Sequence, residues 1–404
     1  MRLKLQYTCG KTYGLMGSGS LLYPRNEAAL HNASIVFSTT KPIPLSQAIQ
    51  QTWQAISNSE MEVYVRWGFH VSWHWEIKLF HRCSGIEFIA FVLYCQLHKC
   101  FSFTATRDSC FRCSFSSAGL RSSTTDLGDG TVMHVWIPKL HVQSKPTLVL
   151  IHGFGANAMW QWNDFISPLI SRFNVYVPDL LFFGESYTTR PERSEQFQAE
   201  CVVRVMEAHG VVSGMNVVGI SYGGFVGYRM AAQFKERIEK VVLCCTGVCL
   251  EEKDMEEGMF KVKSVDEAVS ILLPQTPDKM RELMKLSFYK PTQRVPSCFL
   301  NDFIHVMCTE YLQERKDLIL ALHKDRKLSD LSKITQPTLI IWGEHDQIFP
   351  LELGHRLKRH LGDNAELVII KNAGHAINAE KPKELFKHLK CFLIDPLSRA
   401  KPGN

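Results

Sequence analysis

The stretch that most constrains this chain is Val217-Val218-Gly219-Ile220-Ser221-Tyr222-Gly223-Gly224. An apolar run over residues 215–220 enters a Gly-x-Ser-x-Gly pattern, and a helical pattern over residues 225–235 leaves it. A strand that turns at once into a helix forces the corner residue into a strained backbone with an exposed side chain. Glycine is needed on either side because a larger residue would strike the neighbouring backbone. The corner therefore ties a strand layer to a helix layer.

The rest of the body repeats that alternation. Residues 146–151 are continuously apolar, as expected of a strand buried on both faces, and end in His152-Gly153-Phe154-Gly155. Further strands are expected over 173–177, 241–245, 338–342 and 366–370. Gly128-Asp129-Gly130 marks a hairpin between 122–125 and 131–137. Helices are expected over 194–209, with Ser194 as cap and Gly210 beyond the end, and over 351–360 and 382–392. Such a sequence predicts an α/β fold, a mostly parallel sheet flanked by helices. Between 247 and 334 the alternation stops. Helical patterns at 263–273, 278–288 and 301–323 read as a cap inserted after the sixth strand. The resulting plan is an extension (1–116), a core (117–247 with 334–397), a cap (248–333) and a tail (398–404).

At 45% apolar and 21% charged residues the chain is globular. Its net charge of +6 lies wholly within residues 1–121, so the body is balanced and a nucleic-acid partner has no support. Thirteen scattered cysteines suit reduced thiols, with the cytoplasm as the first expectation. No apolar run approaches the roughly 20 residues of a membrane span. Residues 1–100 lack a sustained period and read as a poorly ordered extension. A targeting segment, or a peripheral membrane contact through residues 86–97, is the alternative.

A serine hydroxyl is a poor nucleophile unless a neighbouring base takes its proton, and the base needs a third group to orient it. Partners for Ser221 should lie just beyond other strand ends. Trp342-Gly-Glu-His-Asp346 follows one late strand and Asn372-Ala-Gly-His375 follows the last. The histidines lack metal-ligand spacing, and Gly153 with Gly155 is only half a dinucleotide fingerprint, so neither a metal nor another cofactor is implied.

Taken in order, His152-Gly-Phe-Gly155, Gly219-Ile-Ser-Tyr-Gly223, Gly343-Glu-His-Asp346 and Gly374-His375 resemble the motifs of the α/β-hydrolase superfamily, over roughly residues 122–397. The resemblance implies a serine hydrolase of the AB hydrolase-1 type. Ser221 would attack a carbonyl carbon, His375 would carry the proton and Asp346 would orient His375. Backbone N–H groups of Phe154 and Tyr222 would form the oxyanion hole. Gly153, Gly155, Gly219, Gly223 and Gly224 would support loop and elbow. Motif position favours Asp346 over Glu344 as the acid. His345, His152 and Asp179 fit structural roles. Cap residues such as Met259, Phe260, Phe303 and Met307 could line an acyl pocket, though their helical spacing suits cap core.

A serine at the elbow disfavours the epoxide-hydrolase and dehalogenase chemistries, which use aspartate there. The segment after Ser221 is similar to monoacylglycerol-lipase-like esterases and to carbon–carbon bond hydrolases of dienones. The second group often has Trp after the catalytic His, where this chain has Ala376. The expectation is hydrolysis of a small carboxylic ester, lipid acyl esters included, through an acyl-enzyme. Hormone receptors of this fold, which bind ligand behind an intact triad, form a different class. The cap reads as longer than their four-helix lid.

Overall fold

The computed structural model describes residues 102–292 and 295–394, together with the backbone of three earlier strands. These are β1 (Arg2–Tyr7), β2 (Thr12–Gly14) and β3 (Ala33–Ser38), an antiparallel sheet ordered β2-β1-β3 within a unit spanning residues 1–92. The targeting and surface-anchor readings otherwise fall outside the described residues, as does the tail.

The second unit spans residues 93–404. Its strands are β4 (Leu120–Asp126), β5 (Thr131–Pro138), β6 (Thr147–Ile151), β7 (Asn174–Pro178), β8 (Tyr187–Thr188), β9 (Met215–Ile220), β10 (Ile238–Cys244), β11 (Thr338–Gly343) and β12 (Ala365–Ile370). They form one sheet in the order β12-β11-β10-β9-β6-β7-β5-β4, with the two-residue β8 beside β5. From β7 to β12 neighbouring strands run parallel, whereas β4 and β5 are antiparallel. Its helices are α1 (Phe103–Ala118), α2 (Ala158–Ile170), α3 (Glu195–Ala208), α4 (Tyr222–Gln233), α5 (Lys253–Glu256), α6 (Val265–Leu272), α7 (Pro277–Ser287), α8 (Ser297–Met307), α9 (Leu312–His323), α10 (Leu351–Leu361), α11 (Ile377–Glu380) and α12 (Pro382–Leu393).

Because both faces of the parallel strands are covered, successive residues feed opposite layers. Val217, Leu243, Ile340 and Trp342 join the layer under α3, α4 and α10. Val218, Val242, Leu339 and Ile341 join the layer under α1, α2 and α12. Every residue of β6, β9 and β11 is buried, which is why those runs are apolar throughout. The capping signals also hold: Ser194 Oγ accepts from the Phe197 N–H, and Gly210, at φ +78°, ends α3.

Three features depart from the sequence reading. The end of the expected extension (1–116) is not extension: residues 103–116 belong to α1, packed on the body. Phe111 and Phe115 are buried in the second layer, Phe115 against Trp136 at 5.2 Å. The Asp108 carboxylate accepts from Asn157 and from the Trp160 indole. The α2 helix is not among the expected ones; Pro168 lies inside it, and Trp162, Phe165, Ile166 and Leu169 carry the helical period into the core. The single helix expected over 301–323 is two. The chain breaks at Tyr311 (φ +51°), and Arg315 caps the break by donating to Met307 O and, across the molecule, to Phe182 O, each at 2.7 Å.

The cap follows β10, the sixth full-length strand of this sheet. Among the described residues it holds four helices of eight or more residues and the one-turn α5. Arg356 on α10 grips the buried Asp254 of α5 bidentately at 2.7 and 2.9 Å, anchoring the start of the cap to the core.

Candidate active site

Parallel strands in register bring their C-terminal ends to one edge of the sheet, the edge where α/β folds place ligands. Ser221 leaves β9 there, residues 344–346 leave β11, and His375 follows β12. Ser221 adopts φ 54°, ψ −120°, a conformation that costs a residue with a side chain about 1–3 kcal/mol. Its N–H donates to Cys244 O at 2.8 Å. The turn is tight enough that a Cβ on Gly219 would lie 2.2 Å from Gly223 O, and one on Gly223 would lie 2.4 Å from Ile151 O. Gly224 sits against Thr246 for the same reason.

Ser221, His375 and Asp346 form one hydrogen-bonded chain. Ser221 Oγ lies 2.9 Å from His375 Nε2, and His375 Nδ1 lies 2.9 Å from Asp346 Oδ2. The other carboxylate oxygen, Oδ1, accepts from the N–H groups of Ile348 and Phe349 at 2.9 Å each, which fixes the plane of the acid. An acceptor facing Nδ1 selects the tautomer that carries its proton there and leaves Nε2 free to take one. Phe349 closes over the imidazole at 5.6 Å between ring centres.

Glu344 turns away. Its carboxylate accepts from the Asn372 N–H at 3.0 Å, and no hydrogen bond to His375 is among those of the described residues. His345 is stacked on Tyr289 at 4.4 Å. His152 is fully buried, takes the Leu180 N–H on Nε2 and donates from Nδ1 to Gly153 O. Burial holds its pKa below the ordinary histidine value against the opposing charge of Asp179. Asp179 binds His134 and the Ala158 N–H at 2.8 Å each. Met259 and Phe260 pack on the core, and Phe303 and Met307 pack in a cluster around α8.

The rings of Phe154 and Tyr222 meet edge to face, their centres 4.9 Å apart. A Cβ on Gly153 would lie 2.7 Å from Ser221 Cβ, so the loop lies directly against the elbow, and Gly155 takes φ +104°. Tyr222 opens α4, whose first N–H groups have no acceptor within the helix.

Two nearby residues escaped the sequence reading, since nothing local marks them. Gln161 on α2 grips the loop at Gly153. Cys245, at φ +47° and fully buried, has its sulfur within 4.8 Å of the Asp346 and His375 ligand atoms. Burial and then the charge of Asp346 push its thiol well above the usual range.

The sequence of residues 146–382 matches the family model for the alpha/beta hydrolase fold. The chain is 25% identical to the monoacylglycerol lipase ABHD6 of Mus musculus over 263 residues, covering 62% of this chain and 76% of the relative. It is 27% identical over 263 residues to the uncharacterized hydrolase YugF of Bacillus subtilis, covering 62% and 90%. Among solved structures, a candidate lipase (lip1) of Acinetobacter baumannii AYE superposes with a TM-score of 0.62 at 26% identity, over 71% of this chain and 95% of that one. The sheet, the strained serine and a family match over more than half its length all agree: this chain belongs to the α/β-hydrolase family.

Proposed function

We propose that the protein is a serine hydrolase that cleaves a carboxylic ester, a lipid acyl ester foremost, through an acyl-enzyme. The hydrogen-bonded chain from Ser221 through His375 to Asp346 carries the reading. As Ser221 Oγ bonds the carbonyl carbon, its proton passes to His375 Nε2. Asp346 stabilises the imidazolium that forms. The N–H groups of Phe154 and Tyr222 receive the oxyanion. His375 then gives the proton to the departing alkoxide, and a water repeats the cycle on the acyl-enzyme. The acyl class is supported by likeness to a monoacylglycerol lipase. Ala376, where the dienone hydrolases often carry Trp, speaks against that subfamily.

A series of p-nitrophenyl esters of rising acyl length tests the proposal. Multiple turnovers with a maximum at medium or long chains are expected. Absence of turnover with every ester would sink it. A receptor-like reading is favoured by one observation, the four principal cap helices, and it predicts one slow turnover per molecule.

The acid is tested separately. Asp346→Asn is expected to lower kcat about 10⁴-fold because the wrong tautomer is then selected. Glu344→Gln is expected to stay within about twofold, as an exposed side chain that meets the Asn372 N–H and His345 contributes little. The reverse ranking in steady-state kinetics would reassign the acid.

A further inference from the structure

We propose that Gln161 is a positioning residue that aims the Phe154 N–H at the developing oxyanion, an inference that rests on the serine-hydrolase reading above. The loop from Gly153 to Gly155 cannot hold its own direction. Glycine leaves the backbone free to rotate, and a Cβ at Gly155 would touch nothing within 4 Å. The Gln161 carboxamide supplies what is missing. Its Oε1 accepts the Gly153 N–H at 2.8 Å, and its Nε2 donates to Gly153 O at 3.1 Å and to Phe154 O at 3.0 Å. The two carbonyls around Nε2 and the single N–H facing Oε1 fix which way the amide is turned.

Gly153 O belongs to the same peptide unit as the Phe154 N–H. In a planar trans peptide the two point in opposite directions, so holding the carbonyl sets the direction of the N–H. That carbonyl receives two donors, Gln161 Nε2 and His152 Nδ1. Hydrogen bonds to a carbonyl also polarise its amide, which strengthens the N–H as a donor. Gln161 itself is rigid. It lies in the second turn of α2, a helix capped by Asn157 and buried along Trp162 and Phe165. Its own backbone carbonyl accepts from Asn378, three residues beyond His375, at 3.1 Å. Gln161 thus joins the Gly153 loop to the short helix α11 that follows His375.

The test compares Gln161→Met and Gln161→Glu with the wild type, by kcat and KM on a p-nitrophenyl ester and by the rate of fluorophosphonate labelling. Rates are normalised to titrated active sites, so that partial unfolding does not count as slow chemistry. Met removes all three hydrogen bonds at similar volume. It should lower kcat and labelling by about 10–100-fold with KM nearly unchanged, somewhat less than the loss of a whole oxyanion donor. A charged Glu faces two carbonyl oxygens. A protonated Glu again presents one donor and one acceptor. The ratio of Gln161→Glu to wild-type kcat should therefore rise several-fold from pH 8 to pH 5. If the Met variant does not fold, this ratio decides. Wild-type rates per active site in the Met variant, or a ratio flat with pH, would overturn the assignment while leaving the serine hydrolase intact. An unlabelled wild type would overturn both.

Discussion

Ser221→Ala is expected to lower ester hydrolysis by at least about 10⁴-fold, because the other triad members have no nucleophile left to serve. Labelling by a fluorophosphonate should vanish with it. The melting temperature should move by only a few degrees. The variant loses one hydrogen bond, to His375, worth about 1 kcal/mol, and alanine carries the same backbone strain at φ 54° as serine. Retention of more than about a tenth of the rate, with the fold intact by circular dichroism, would remove Ser221 from the chemistry and with it the proposed mechanism. A large fall in stability would instead show that the elbow needs the hydroxyl for packing.

Removing α1 is the second large effect expected. A chain beginning at Ser102 should fold and hydrolyse esters, whereas one beginning at Gly119 should aggregate or unfold. Phe115 is fully buried and Phe111 is nearly so. Each contributes roughly 1.5–3 kcal/mol of burial. Trp136, Trp160 and Asn157 lose their partners on the helix, and Asp302 of the cap loses the Thr104 N–H at 2.8 Å. The sum is about 5 kcal/mol or more, against a total stability of about 5–15 kcal/mol for a typical domain. Urea unfolding of the two truncated chains decides the matter. A midpoint for the shorter chain within about 0.3 M of the longer one would make α1 a dispensable addition. The boundary proposed for the catalytic unit therefore lies near Ser102, not near residue 117.

Much of this was readable in the sequence because it is encoded over short distances. The apolar runs that became β6, β9 and β11 are continuous because each strand has a helix layer on both sides. The Gly-x-Ser-x-Gly corner was readable because backbone approaches as close as 2.2 Å exclude any side chain at Gly219. The features that escaped lack such local marks. The two anchoring phenylalanines of α1 are set among serines and arginines, and the apolar face of α2 is interrupted by a proline, a residue that ordinarily disfavours a helix interior. The break between α8 and α9 depends on Arg315 reaching back to Met307 and across to Phe182, and the second partner is 133 residues away.

By itself the sequence determined which residues stand at strand ends: Ser221, then Asp346, then His375. Only the tertiary structure decided that they meet. Ser221 and His375 are 154 residues apart, yet the parallel order β9-β10-β11-β12 carries three strand ends to one edge, where their side chains come within hydrogen-bond reach. Tertiary structure likewise turned Glu344 toward Asn372, leaving Asp346 to face the imidazole, and set Gln161 against the Gly153 carbonyl. Strand and turn signals act between neighbours in the chain. A hydrogen bond within 3 Å between distant residues exists only once packing has fixed where each backbone lies.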